Sequence, residues 1–229
     1  MVIEMEEELI RNILSELLEQ DSRNITRELY RRALSETCNY IEQSMLLVNS
    51  TFRNRYELLD YAIQTAAIQD GLWLEFGVYK GETINYIASK IDTTIYGFDS
   101  FKGNPDDWRS EHRKGEFALK EIPSFGQNVK IVKGWFQSSL PRFLKTHHGP
   151  VSFMHIDCDL YSSTKTVLNE LKTRLINGSI IVFDEFFNYP GWKHHEFKAF
   201  IEFIESTNIK YEYIGYVYNH SQVSVKIKG

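Results

Sequence analysis

The stretch that most narrows what this chain can fold into is Val151 to Glu185, two apolar runs joined by a helical pattern, each ending in acid. Val-Ser-Phe-Met-His-Ile (151–156) leads into Asp157-Cys158-Asp159, and Ser-Ile-Ile-Val-Phe (179–183) leads into Asp184-Glu185. Between them a helical segment opens at Ser162-Ser163-Thr164, carries Val167, Leu168, Leu171 and Leu175 at helical spacing, and closes at Gly178. Continuously apolar strands around a helix are the pattern of a parallel βαβ unit covered on both faces. Ligands of such sheets sit beyond the carboxyl ends of the strands, so Asp157, Asp184 and Glu185 would face one cavity. Carboxylates that converge without a matching run of Lys or Arg repel one another unless protons or a cation hold them. Hard oxygen ligands suit Mg²⁺, Mn²⁺ or Ca²⁺.

The flanking sequence fits one α/β domain, residues 51–229, with a helical extension over residues 1–50. In the extension Leu9/Ile10, Ile13/Leu14 and Leu17/Leu18 recur every four residues, and Leu29, Ala33, Thr37 and Ile41 resume the stripe after Asp21-Ser22. Such a stripe packs on the domain's own core, or caps the site, or meets a second copy in a homo-oligomer. Further helices are expected at Tyr56–Ile68, Glu82–Lys90, Ser138–His147 and Lys193–Ser206. Strands are expected at 72–77, 94–99 and 129–132, with a closing antiparallel pair at 211–218 and 223–227. The polar stretch Ser100–Gln127 is too long for a mere connection and reads as a lid or binding loop.

Net charge is −5 with no long basic run, which argues against nucleic acid or an anionic membrane as partner. No apolar run approaches membrane-spanning length, and the acidic start Met-Val-Ile-Glu-Met-Glu-Glu-Glu is unlike a signal peptide. Cys38 and Cys158 lie far apart in different elements, so a reducing cytoplasmic location is expected.

Glu75-x-Gly77-x-x-x-Gly81 falls between a strand and a helix, where adenosine ligands dock on doubly wound sheets. It is neither the dinucleotide fingerprint nor a phosphate loop, because Val78, Tyr79 and Lys80 carry side chains where those motifs need bare backbone. An adenosine ligand without phosphates suits it better, and S-adenosylmethionine is one. Glu75 would then face the ammonium group, and Asp99, at the end of the next strand, the ribose diol. The plainer alternative is that Gly77 and Gly81 merely permit a tight turn.

Glu-Phe-Gly-Val-Tyr-Lys-Gly-Glu-Thr (75–83), Gly-Phe-Asp-Ser-Phe-Lys-Gly (97–103), Gly-Trp-Phe-Gln-Ser-Ser-Leu-Pro (134–141), His-Ile-Asp-Cys-Asp-Leu-Tyr-Ser-Ser-Thr (155–164) and Val-Phe-Asp-Glu-Phe-Phe (182–187) occur in order. Together they resemble the macrocin O-methyltransferase-like family of class I S-adenosylmethionine-dependent methyltransferases, over residues 72 to 227. The resemblance implies a Rossmann-like, doubly wound, mostly parallel seven-stranded sheet with an antiparallel edge strand. It implies methyl transfer to a hydroxyl of a sugar or other small molecule of natural-product type, with bound Mg²⁺ or Mn²⁺. Asp157, Asp184 and Glu185 map to the metal ligands, Glu185 standing where a second Asp is frequent. Glu75, Gly77, Val78, Tyr79, Gly81, Asp99 and Ser100 map to the cofactor pocket, and Trp135 and Phe136 to the residues flanking the adenine.

The resemblance extends to catechol O-methyltransferases, but Leu160 stands where those place a lysine base. In macrocin-type enzymes a loop histidine has a proposed base role, and His112 is the nearest candidate here. Asp157 and His112 are thus the expected catalytic residues. The competing readings are metal-free N- or O-methylation and a non-catalytic adenosine-binding partner protein.

Overall fold

The computed structural model describes residues 2–48, 50–68, 70–109 and 112–229; the side chains of residues 2–5, Leu17 and Leu18 lie outside that description, as do Ser110 and Glu111 of the long polar loop. Helices α1 (Val2–Ser22) and α2 (Ile25–Ser44) lead into strand β1 (Thr51–Phe52) and helix α3 (Arg55–Thr65). Then come β2 (Leu72–Phe76), α4 (Glu82–Ala88), β3 (Ile95–Asp99), β4 (Val129–Lys133), α5 (Phe136–Leu144), β5 (Val151–Ile156), α6 (Tyr161–Leu171) and β6 (Ile180–Phe183). Helix α7 (Glu196–Thr207), β7 (Lys210–Val217) and β8 (Val223–Lys228) close the chain. Local chemistry sets the boundaries. The Asn54 side chain accepts from the N–H groups of Tyr56 and Glu57 and so starts α3, while Asn208, at φ 55°, ends α7.

The strands form one sheet in the order β1-β7-β8-β6-β5-β2-β3-β4. All pairings are parallel except those of β8, which runs antiparallel to both β6 and β7. Two details differ from the sequence reading. The antiparallel strand is internal rather than at the edge, and the two-residue β1 adds an eighth strand beside β7. Side-chain alternation divides the core. Leu72, Leu74, Phe76, Met154, Ile156, Ile181 and Phe183 pack with α5, α6 and α7; Trp73, Phe153, Ile180 and Val182 pack with α3 and α4.

The extension is not one piece. Helix α2 and the residue that follows it join the core through Ala33, Thr37 and Met45, and the Thr37 hydroxyl accepts from the N–H of Asn188 at 3.0 Å. Helix α1 instead leaves Leu9, Ile10, Ile13 and Leu14 exposed. No helix among the described residues is long and apolar enough to cross a membrane.

Candidate active site

Parity within the strands decides which acids meet. Glu75, His155, Asp157 and Asp184 share the alternation of Trp73, Phe153 and Val182, so they point to the α3/α4 face. Glu75 lies opposite His155 in the β2–β5 register, and its Oε2 is 3.0 Å from His155 Nδ1. The Thr83 hydroxyl donates to Glu75 Oε1 at 3.2 Å. Glu75 is fully buried and does not line the cavity. This corrects the expectation that it faces a cofactor ammonium: its register partner has claimed it.

His155, Asp157 and Asp184 each offer a ligand atom, all within 4.8 Å of one another. Glu185 is outside this group. Strand β6 ends at Phe183 and the chain bends from Asp184 on, although the Asp184 N–H still donates to the Ile156 carbonyl. The Glu185 carboxyl lines the cavity there, and its N–H donates to Glu196 Oε2 at 3.2 Å. Glu196, buried at the start of α7, also accepts from the N–H groups of Cys158 and Asp159, and so ties together the two turns after β5 and β6.

Burial opposes charge on every group of this floor, and neighbours decide the outcome. Desolvation disfavours a charged His155, but the Asp184 and Glu75 carboxylates beside it outweigh that and push its pKa up to about 10. Desolvation is likewise outweighed at Asp184, whose pKa is lowered by His155 and by Arg55, with Arg55 Nη1 at 3.7 Å from Asp184 Oδ1. Asp157 is raised well above the usual carboxylate range by desolvation and by Asp184. Desolvation raises Glu185 to about 8, with Asp184 adding to it, and Asp159 to about 7 against a hydrogen bond from Asn104. The donor set fits a cation: two carboxylates beside an imidazole whose Nε2 is buried with no hydrogen-bond partner among the described residues.

Next to this floor lies a cavity of about 430 Å³. Gly77, Val78, Tyr79, Asp99, Ser100, Trp135 and Phe136 line it on the glycine-turn side; Asp157, Asp159, Asp184 and Glu185 line the floor, and Trp108, Arg109 and His112 of the long loop line it too. Gly81 is expected there but is absent from the lining. At φ 83° it starts α4, where a Cβ would come within 2.6 Å of the Phe125 ring. Asp99 holds the loop itself: its Oδ2 accepts from the N–H groups of Val78 (2.9 Å) and Tyr79 (2.8 Å), and its Oδ1 from that of Phe101 (2.7 Å). A carboxylate has about four lone-pair sites, so about one remains for a ribose hydroxyl. Gly77 adopts φ 91°, and a Cβ there would lie 1.8 Å from the Asp157 carbonyl oxygen. His112 stacks on Phe117 and lies against Trp108.

Sequence reasoning gave no role to His155, Asp159, Arg55 or Glu196. Alternation could have flagged His155, two residues before Asp157 on the same strand face. Nothing local marks Arg55, which arrives from α3.

Residues 74–186 match a family model described as a methyltransferase domain. Among solved structures, the calicheamicin methyltransferase CalS11 superposes with a TM-score of 0.63 at 21% identity, over 87% of this chain and 91% of that one. The O-methyltransferase NovP gives 0.58 at 19% identity, over 76% and 80%. A curated relative from Streptomyces olivaceus, 8-demethyl-8-(2,3-dimethoxy-alpha-L-rhamnosyl)-tetracenomycin-C 4'-O-methyltransferase, is 25% identical over 160 residues, 58% of this chain. The match spans 60% of that relative's length. The chain has the fold of the class I methyltransferases, and its residues 74–186 carry the match to a methyltransferase domain. More particularly, it is similar to O-methyltransferases such as CalS11 and NovP.

Proposed function

We propose that the protein is an S-adenosylmethionine-dependent O-methyltransferase whose acceptor is a small molecule, methylated on a sugar hydroxyl with the assistance of Mg²⁺ or Mn²⁺. The observation that carries this reading is the single cavity that joins the glycine turn of a methyltransferase domain to a buried acidic floor. The sugar is suggested by relatives whose names contain a rhamnosyl acceptor or describe a TDP-rhamnose 3'-O-methyltransferase. The runs at 155–164 and 182–187 support the finer macrocin-type reading.

S-adenosylmethionine, when bound, supplies an electrophilic methyl group. A bound divalent ion supplies Lewis acidity, which makes an alcohol a better nucleophile at neutral pH. The chain's own residues do the rest. Gly77 to Tyr79, Asp99, Ser100, Trp135 and Phe136 would seat the cofactor. Asp157 and Asp184 would hold the ion, with His155 as third ligand on geometry or Glu185 on the resemblance. The acceptor proton has two candidate takers on the cavity wall. His112 carries a buried Nδ1 without a partner among the described residues, and Asp159 is a buried carboxyl beside the floor. Glu196, by fixing the turn at Asp159, would keep that carboxyl in place.

The experiment is methyl transfer from labelled S-adenosylmethionine with and without chelator. Chelator is expected to abolish transfer and Mg²⁺ or Mn²⁺ to restore it. Full transfer by protein shown metal-free by elemental analysis would leave the runner-up, a metal-independent methyltransferase using the same acids as base. His112→Gln and Asp159→Asn then separate the two proton acceptors: the true base loses turnover with cofactor affinity unchanged.

A further inference from the structure

Among the described residues, six buried side-chain polar atoms lack a hydrogen-bond partner, and three of them belong to one short segment of the long loop: Trp108 Nε1, Arg109 Nε and His112 Nδ1. Native proteins leave few such groups, because each unmade bond is costly. The N–H groups of Trp108 and Arg109 donate to the His112 carbonyl and the His112 N–H to that of Arg109, and the Arg109 guanidinium lies 3.7 Å above the Trp108 ring and 5.1 Å from that of Tyr189. The Tyr189 hydroxyl in turn donates to the Glu185 carbonyl. All three loop residues line the same cavity as the acidic floor.

The two linings make different demands. Indole Nε1 and guanidinium Nε only donate. A ligand that satisfies the loop must bring acceptor oxygens to it while its reacting hydroxyl lies at the acidic floor. Hydroxyls do both, and a puckered ring bearing several of them can reach both walls at once. A catechol carries its two oxygens in one plane at one edge, so it fills the floor and leaves the loop donors unpaired.

We infer that Trp108 and Arg109 are specificity-determining residues, whose indole and guanidinium N–H groups bind acceptor oxygens flanking the hydroxyl to be methylated and select polyhydroxylated rings over planar phenols. This assignment rests on the proposed methyltransferase reading, and one experiment tests both separately. Protein saturated with S-adenosylhomocysteine is titrated with methyl α-L-rhamnopyranoside and, separately, with catechol, for wild type, Trp108→Phe, Arg109→Met and Arg109→Lys. The glycoside should bind wild type in preference to catechol. Its affinity should fall about 5-fold in Trp108→Phe, which keeps a ring beneath the guanidinium, and at least about 10-fold in Arg109→Met. Arg109→Lys keeps the charge but not the planar donors, and should behave like Arg109→Met. Catechol affinity should be equal in all four proteins. Preference for catechol by wild type, absent glycoside binding, or unchanged glycoside affinity in the variants would overturn the assignment. S-adenosylhomocysteine affinity serves as the folding control. Its loss in Trp108→Phe alone leaves the two Arg109 variants to decide, and its absence in wild type refutes the methyltransferase reading instead.

Discussion

The floor of the cavity and helix α1 place the same residue types in opposite settings. In the floor, Glu75, His155 and Asp184 are buried, each held by a partner from a different strand or helix. In α1, Leu9 is 60% exposed and Ile10 56%, while the ion pair of Glu19 with Arg23, just past the helix end, lies open to water. Position relative to the sheet, not residue polarity, sets where these side chains end up. Charges at the strand tips need neighbours supplied by the fold. Those on α1 need only solvent, and its apolar stripe has no cover within the described chain.

The largest expected effect breaks the buried pair. Glu75→Ala or His155→Ala leaves one charge uncompensated and should destabilise the fold by about 3–5 kcal/mol in urea unfolding. The double change Glu75→Leu/His155→Leu should recover most of that loss, because both charges leave together. Singles no weaker than wild type would deny the pair its structural role. Next, Asp157→Asn should lower methyl transfer at least about 100-fold while thermal stability holds or rises, since it removes a repelled acid. A parallel loss of folding would mean that Asp157 serves the structure instead.

Asp99→Ala should weaken S-adenosylmethionine binding by about 1.5–3 kcal/mol, measured by calorimetry. Because its carboxylate holds the backbone of Val78 and Tyr79, hydrogen exchange in that turn should quicken even without ligand. Unchanged exchange would return Asp99 to a pure ribose acceptor. At the small end, Arg32→Ala, which removes the exposed pair to Glu28, should cost no more than about 0.5 kcal/mol. Deleting residues 1–22 should leave the melting temperature of the remainder nearly unchanged. Light scattering that shows the same mass before and after the deletion would exclude a second copy as the cover of the α1 stripe.

Much of this contrast is legible in the sequence. Apolar runs of five or six residues announce β2, β3, β5 and β6, and the acids that end them mark the floor. What escapes is short or non-local. β1 is too short to show a period and exists because β7 offers an edge. The exclusion of Glu185 from the His155 group depends on how the chain bends after Phe183, which composition does not record. The fate of Glu75 depends on register, which pairs it with a residue 80 positions away. The loop donors at Trp108 and Arg109 carry no periodic signal.

Gly77 has a consequence for how this protein can change. With its Cα packed against the Asp157 carbonyl, the glycine turn and the turn that presents the floor are in direct backbone contact. A side chain at position 77 cannot reshape one without displacing the other. On the proposed function, selection for a new cofactor analogue would therefore have to pass through Val78, Tyr79 or the Trp135 wall. Random libraries over this turn should return position 77 as glycine in every active clone, even where the acceptor has been exchanged.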